Sequence, residues 1–227
     1  MKNLNLENGD LKIESVIFSV WEKNGIENFA RELREINAGM EIFGTPGSRD
    51  HMRSHNLENI RCISEITKEK PASFKHRMSS ISYPYTSSII FNREDPDQIA
   101  EAQELGIEGR DMVICTLYPF EKTLAEERAK GTSGLELMKI AIEKIDVGGP
   151  CMVRAAAKNY RGVVIVTNYN DLQCVIDEMK GSGGFVSHQH RLDLSIKAFR
   201  LASEYDAAIY KFLEEYLAEY GHLNLPW

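Results

Sequence analysis

The residues Gly44-Thr45-Pro46-Gly47-Ser48 place two hydroxyls and free backbone N–H groups immediately before a short helix. Amides and the dipole at a helix start point at an anion, so this segment suits a phosphate. A plain strand-to-helix turn has the same composition, and both readings stand on the residues alone. It is not a P-loop, because the spacing and the Gly-Lys-Ser/Thr ending are missing. Three other segments put polar or glycine residues after a strand or at a helix start. Ser19-Val20-Trp21-Glu22-Lys23 reads on composition as a solvated turn. In Cys115-Thr116-Leu117-Tyr118-Pro119-Phe120 the amphipathic Tyr118 is suited to orienting a base, although filling a core edge is the commoner use of tyrosine. The last is Ile145-Asp146-Val147-Gly148-Gly149-Pro150…Arg154-Ala155-Ala156-Ala157-Lys158-Asn159. Taken singly, Asp146 caps a helix and Lys158 complements its C-terminal dipole. Their combination is the informative feature.

These segments must be positioned by an alternation of strands and helices. Ser15 to Val20 reads as a buried strand, and Ile26, Phe29, Ala30, Leu33 and Ile36 recur at helical spacing. Short strands are expected at Glu41–Phe43 and Ile60–Ile63, with a brief helix at Arg49–Ser54 between them. Ser87–Phe91 reads as a strand, Pro96–Leu105 as a helix and Asp111–Leu117 as a central strand. Ser133 is placed to cap a helix running to Ile145, and Pro150 suits the first turn of the next, which reaches about Asn159. Val163–Val166 is a strand, Asp171–Lys180 a helix and Gly181–Gly184 a loop. His188 to Tyr220 holds no proline or glycine and is one long helix or two joined ones.

This alternation implies an α/β fold with a mainly parallel sheet covered on both faces and a helical C-terminal part, its ligand site at the carboxyl ends of the strands. One domain is expected over residues 15–220, with residues 1–14 as an N-terminal extension. A helix beginning at Pro150 carries Lys158 about 12 Å along its axis. Asp146 and Lys158 therefore share one ligand only if the loop before the helix folds back or the helix is short. Otherwise they serve the pockets of different subunits.

Composition narrows the partners. A net charge of −7 argues against nucleic acid, since phosphate backbones select basic faces, but leaves room for a mononucleotide. With 43% hydrophobic and 27% charged residues the chain has the balance of a globular protein. No apolar run approaches the roughly eighteen residues of a membrane span, and the first ten residues lack the apolar core of a signal peptide. Cys62, Cys115, Cys151 and Cys174 lie far apart without a CxxC pair, which favours reduced thiols in the cytoplasm over a disulfide frame or zinc site.

Taken in order, the segments resemble the IMP cyclohydrolase domain of the bifunctional AICAR transformylase/IMP cyclohydrolase family. The run from Ile145 to Asn159 is a very close match to that family's most distinctive motif. Leu117-Tyr118-Pro119-Phe120, Ser64-Glu65-Ile66-Thr67, Phe18-Ser19-Val20…Lys23…Gly25, Ile196-Lys197-Ala198-Phe199 and Tyr205-Asp206 support it, over roughly Ser15 to Leu213. The resemblance implies a methylglyoxal-synthase-like three-layer domain, a homodimer and a stand-alone cyclohydrolase without the transformylase domain. The implied reaction is dehydrative closure of 5-formamidoimidazole-4-carboxamide ribonucleotide to IMP, in which orientation and proton transfer are the protein's main tasks. No metal and no organic cofactor is implied, and a separate transformylase is a conceivable partner. By the same resemblance Lys158 is the proton donor or acceptor, with Asp146 and Tyr118 near the reacting groups. Ser19, Lys23, Thr45, Gly47, Ser48 and Arg77 would hold the ribose phosphate. Cys115, Thr116, Gly148 and Gly149 would line the nucleotide, and Ser79 and Ser80 join the substrate-binding set.

The chain also departs from the family pattern. Arg77-Met78-Ser79-Ser80-Ile81-Ser82-Tyr83 stands where the family has Arg-Val-Lys-Thr-Leu-His-Pro, so a family lysine is missing unless Lys75 replaces it from upstream. The phosphate segment reads Gly-Thr-Pro-Gly-Ser against Ser-Thr-Gly-Gly-Thr, and Thr116 replaces an asparagine. A non-catalytic nucleotide-binding or regulatory paralogue is therefore the main alternative. A methylglyoxal-synthase-like lyase ranks last, since that family's catalytic pattern is absent.

Overall fold

The computed structural model describes residues 5–67 and 80–221. The chain opens with two short strands, β1 (Leu6–Glu7) and β2 (Asp10–Lys12), then enters β3 (Ser15–Ser19). Val16, Ile17 and Phe18 of β3 are fully buried, as a strand covered on both faces requires. Helix α1 (Ile26–Ile36) buries Ile26, Ala30 and Leu33, one stripe at helical spacing. β4 (Glu41–Gly44), α2 (Pro46–Ser54), β5 (Ile60–Cys62) and the single turn α3 (Ser64–Thr67) follow. After the undescribed stretch come α4 (Tyr83–Ile90), α5 (Pro96–Glu104) and β6 (Met112–Cys115). The remainder is α6 (Phe120–Ala129), α7 (Gly134–Lys144), α8 (Gly148–Lys158), β7 (Val164–Val166), α9 (Tyr169–Ser182), β8 (Phe185–Val186) and α10 (His188–Tyr220).

Five strands form a wholly parallel sheet in the order β5-β4-β3-β6-β7. From β3 the chain winds outward through β4 to β5, then returns to β6 and β7 on the other side. Right-handed crossovers consequently put the two sets of helices on opposite faces. α1 packs against α2 and α9, while α8 packs against α4 and α10, giving three layers. Ser19 is in register with Cys115 and Phe18 with Gly44, so the loops after β3, β4 and β6 emerge side by side. A second apolar cluster joins Phe120, Leu124, Leu137, Met138 and Ala141 to Tyr205 and Phe212 of α10. The Phe120 and Phe212 rings meet edge to face at 5.9 Å. This cluster makes the expected helical C-terminal part, and α10 is one continuous helix. No helix among the described residues is long and apolar enough to cross a membrane.

The opposite end of the sheet is pinned by a buried ion pair. Arg93 Nη1 donates to Asp111 Oδ1 at 2.7 Å, and Asp111 Oδ2 accepts from the Ser15 amide and hydroxyl, both at 2.8 Å. These bonds tie the amino ends of β3 and β6 together.

Several sequence expectations need correction. Ser87–Phe91 is not a strand. Ser87–Ile90 lies in α4, with Phe91 as its extended C-cap; the buried Tyr85, Ser88 and Ile89 of α4 fall at helical spacing, and the Ser82 hydroxyl accepts from the Tyr85 amide at the start. The helix expected at Arg49 begins at Pro46, so Gly47 and Ser48 belong to its first turn rather than to a loop. The central strand ends at Cys115, not Leu117. Helix α9 extends past Lys180 to Ser182 and ends at Gly183, whose φ of 73° is in the region glycine adopts without strain. Besides the turn α3, two features were not anticipated. One is α6; the other is a small antiparallel sheet, β1-β2-β8, in which Leu11 pairs with Val186.

Candidate functional site

Local bonding knits the three adjacent loops at the carboxyl ends of β3, β4 and β6. The Thr45 amide donates to the Phe18 carbonyl at 3.0 Å, and the Thr116 amide to the Ser19 carbonyl at 3.3 Å. The Trp21 amide donates to Thr116 Oγ1 at 2.9 Å. The Val20 amide reaches Ser48 Oγ at 3.4 Å, and the Thr45 hydroxyl donates to the same oxygen at 3.0 Å. Thr45 thus makes no side-chain cap on α2, whose first turn has Pro46 at its start. The Gly47 and Ser48 amides lie in that turn, where a helix lacks intrahelical acceptors. Ser48 itself is fully buried.

Above these loops is a cavity of about 390 Å³, within the size range of small-molecule sites. Ser19, Thr45, Ser80, Thr116, Tyr118, Asp146 and Gly149 are among its lining residues. Trp21 and Tyr118 stack edge to face with centroids 4.1 Å apart, and Lys144 Nζ lies 5.2 Å from the Tyr118 ring centroid. The Thr123 hydroxyl donates to the Tyr118 hydroxyl at 3.4 Å. Lys23 Nζ donates to the Trp21 carbonyl at 2.9 Å, and its Cε would touch a Cβ added at Gly47 at 3.0 Å. This brings a cation beside the helix start.

The turn before α8 fixes Asp146. Its backbone N–H donates to the Tyr205 hydroxyl at 2.8 Å, and its Oδ1 accepts from the Gly149 amide at 3.0 Å. A Cβ at Gly149 would sit 2.3 Å from Asp146 Oδ2 and 2.8 Å from Leu117 Cδ2, so only glycine lets the carboxylate lie against the helix start. Burial pushes the Asp146 carboxyl above the ordinary aspartate range, against the opposing pull of the Gly149 and Gly148 amides. Burial likewise pushes the Cys115 thiol up and keeps it protonated, with Asp146 adding to the effect. Its sulfur lies 3.9 Å from the Gly149 carbonyl oxygen, so Cys115 packs beneath the cavity as a neutral group.

The sequence-predicted residues do not all meet at one place. Ser19, Thr45, Ser80, Thr116, Tyr118, Asp146 and Gly149 meet at the cavity. Gly148 lies beside it, where an added Cβ would strike Ser80 Oγ at 2.4 Å. Lys23, Gly47, Ser48 and Cys115 support its walls. Arg77 and Ser79, with the substitute Lys75, lie outside the described residues. Lys158 is not in this cavity. It is exposed on the last turn of α8 and lines a separate cleft of about 260 Å³ with Tyr83, Ser87, Gln98, Glu101 and Leu105. α8 starts at Gly148 and is not short, so a single protomer does not bring Asp146 and Lys158 to one ligand.

Val20, Trp21, Glu143, Lys144 and Ile145 also line the cavity without having been named as site residues, although Val20, Trp21 and Ile145 fall within the segments read as chemistry-bearing. Lys144 and Ile145 directly precede Asp146, and adjacency to a fixed carboxylate was the available signal. Trp21 leaves β3 two residues after Ser19, and only its neighbour β6 brings Tyr118 against it.

Comparisons with known proteins come from both halves of the chain. Residues 25–151 match the model of the MGS-like domain, and residues 156–225 match that of the AICARFT/IMPCHase bienzyme. The chain is 38% identical over 204 residues to the bifunctional purine biosynthesis protein PurH of Chlorobium luteolum, covering 90% of this chain and 37% of that protein. It is 37% identical over 206 residues to PurH of Chlorobium phaeovibrioides, covering 91% of this chain and 37% of that protein. It therefore spans little more than a third of the length of these relatives. Among solved structures, that of ForH aligns with a TM-score of 0.69 at 26% identity, over 89% of this chain and 98% of that one.

Proposed function

The chain belongs to the MGS-like domain family and its residues 156–225 match the AICARFT/IMPCHase bienzyme, and from that premise we propose that it is an IMP cyclohydrolase of purine nucleotide biosynthesis. The substrate is 5-formamidoimidazole-4-carboxamide ribonucleotide. Its carboxamide nitrogen attacks the formyl carbon, a C–N bond forms, and the formyl oxygen leaves as water. One proton comes from the carboxamide nitrogen and one from the formamido nitrogen, and both end on the departing oxygen. Nucleophile and electrophile share one molecule, so the protein has to orient them and move two protons.

The observation that carries this reading is the Asp146 carboxyl, raised by burial and set in one cavity with Tyr118 and Lys144. A carboxyl held above its ordinary range is a better proton acceptor near neutrality than a solvated one. We assign it the carboxamide proton, with Lys144 and Tyr118 as the groups facing the departing oxygen. The amides of Gly47 and Ser48, with Lys23, would hold the ribose phosphate at the start of α2. Lys158 enters this scheme only from a second copy of the chain, which makes the active unit a symmetric dimer.

The test is to supply the purified protein with the formylated substrate and follow IMP formation. Turnover that is lost in Asp146→Asn supports the cyclohydrolase reading. Binding of IMP without turnover would instead favour the non-catalytic paralogue, the reading suggested by Ser79 and Ser80 standing where the family has a lysine and a threonine.

A further inference from the structure

On the α1–α2 side of the sheet, one turn of α2 beyond Gly47 and Ser48 and with none of its members lining the cavity, three metal-ligating side chains converge. Glu27 lies in the first turn of α1, His51 on α2, and His55 caps α2 four residues later. One ligand atom from each lies within 4.8 Å of the others. His51 Nε2 is 3.0 Å from Glu27 Oε2, and the two imidazole rings are 4.4 Å apart and inclined by only 33°. Two ligands on a tetrahedral zinc ion sit about 3.3 Å apart, given bonds of about 2.0 Å. The His51–Glu27 pair is thus already spaced so that a cation can replace the proton between them.

The third ligand is tuned from behind. His55 Nδ1 lies 2.9 Å from the His51 carbonyl oxygen, and donation there leaves Nε2 as the free lone pair. Ligating histidines are commonly oriented by a carbonyl in this way. His55 is exposed, while Glu27 and His51 are half-buried and held by their helices. The nearby cation Arg31 is engaged, with Nη2 on the His55 carbonyl at 2.7 Å and Nη1 on Asn28 Oδ1 at 2.8 Å.

We propose that Glu27, His51 and His55 form a site for a zinc-class divalent cation that clamps α1 to α2. Two imidazoles and one carboxylate suit Zn²⁺ or Co²⁺ and leave a fourth position for water, whereas Mg²⁺ prefers an octahedron of oxygens. The site takes no part in ring closure and stands or falls independently of the proposed activity.

The whole protein, stripped with EDTA, is titrated with Zn²⁺ against a chromophoric chelator and with Co²⁺ as a visible reporter. The expected result is one equivalent of bound metal, a tetrahedral Co²⁺ spectrum without a thiolate charge-transfer band, a raised Tm on Zn²⁺ addition and no competition from Mg²⁺. His55→Ala and Glu27→Gln should each weaken binding at least about ten-fold, since even outer-shell partners are worth that much. His51→Ala removes a side chain that also pairs the two helices. If it fails to fold, the exposed His55→Ala still decides the matter. No bound equivalent, binding unchanged in His55→Ala, or a thiolate band pointing to the exposed Cys174 would overturn the proposal.

Discussion

Asp146 and Lys158 flank the two ends of α8 and face different cavities, Asp146 beside Tyr118 and Lys158 beside Tyr83. One rigid helix between them prevents a single nucleotide from touching both within one protomer. An account in which both act on the same substrate must therefore place the second residue on another chain.

That requirement has a direct consequence. Asp146→Asn and Lys158→Ala should each abolish turnover, by about 10²- to 10⁴-fold for a proton-transfer group. Mixing the two inactive proteins and allowing subunits to exchange should restore about a quarter of wild-type activity, because half of the dimers are mixed and each has one intact site. A steady-state assay after refolding the mixture checks it. If Lys158→Ala keeps full activity while Lys144→Ala loses it, the proton carrier is the lysine beside Tyr118 in the same protomer.

Asp146 should also show opposite effects on activity and stability. Its folded-state pKa is raised, so the folded protein holds this proton more tightly than the unfolded chain does. Stability then falls as pH rises through the interval between the unfolded and folded values, and the loss is complete above the folded value. Asp146→Asn removes that cost. It should melt higher than wild type at pH 7, with the advantage vanishing below the carboxylate range, while turnover is lost. Scanning calorimetry at several pH values checks the sign.

The glycine at the start of α8 is required by space. Gly149→Ala puts a methyl 2.3 Å from Asp146 Oδ2 and 2.8 Å from Leu117 Cδ2. Overpacking of this kind costs about 1–3 kcal/mol, and here it also displaces the carboxylate. We expect a lower Tm together with a fall in kcat, whereas Gly181→Ala, in the last turn of α9 with open space around it, should leave kcat unchanged and raise Tm slightly.

At the opposite end of the sheet the effect should be on stability alone. Asp111→Ala leaves Arg93 buried and unpaired, and removing one partner of a buried pair costs about 3–5 kcal/mol. Arg93→Met with Asp111→Asn should recover part of that loss, and IMP affinity of the folded fraction should stay unchanged. Urea titration and nucleotide binding separate the two readouts.

The parallel sheet was legible because Val16-Ile17-Phe18, Met112 to Cys115 and Val164 to Val166 are short apolar runs between helices of clear period. The cavity floor was legible for the same reason, since Ser19, Thr45 and Thr116 each follow such a run. Ser87–Phe91 misled because Ile89-Ile90-Phe91 looks like a strand, while the helix-start signals, Ser82 and Pro84, lie further upstream. Strands β1, β2 and β8 have two or three residues each, too few to show a period, and form only because Leu11 finds Val186 across the fold. Trp21 and Lys144 reach Tyr118 through the adjacency of β3 with β6 and through the turn before α8. One-dimensional spacing carries neither contact.

The most direct test is a crystal structure with IMP bound. The phosphate is predicted at the Gly47 and Ser48 amides near Lys23, and the base between Tyr118 and Asp146. Nucleotide found elsewhere, or this cavity closed and empty at saturating IMP, would contradict the account.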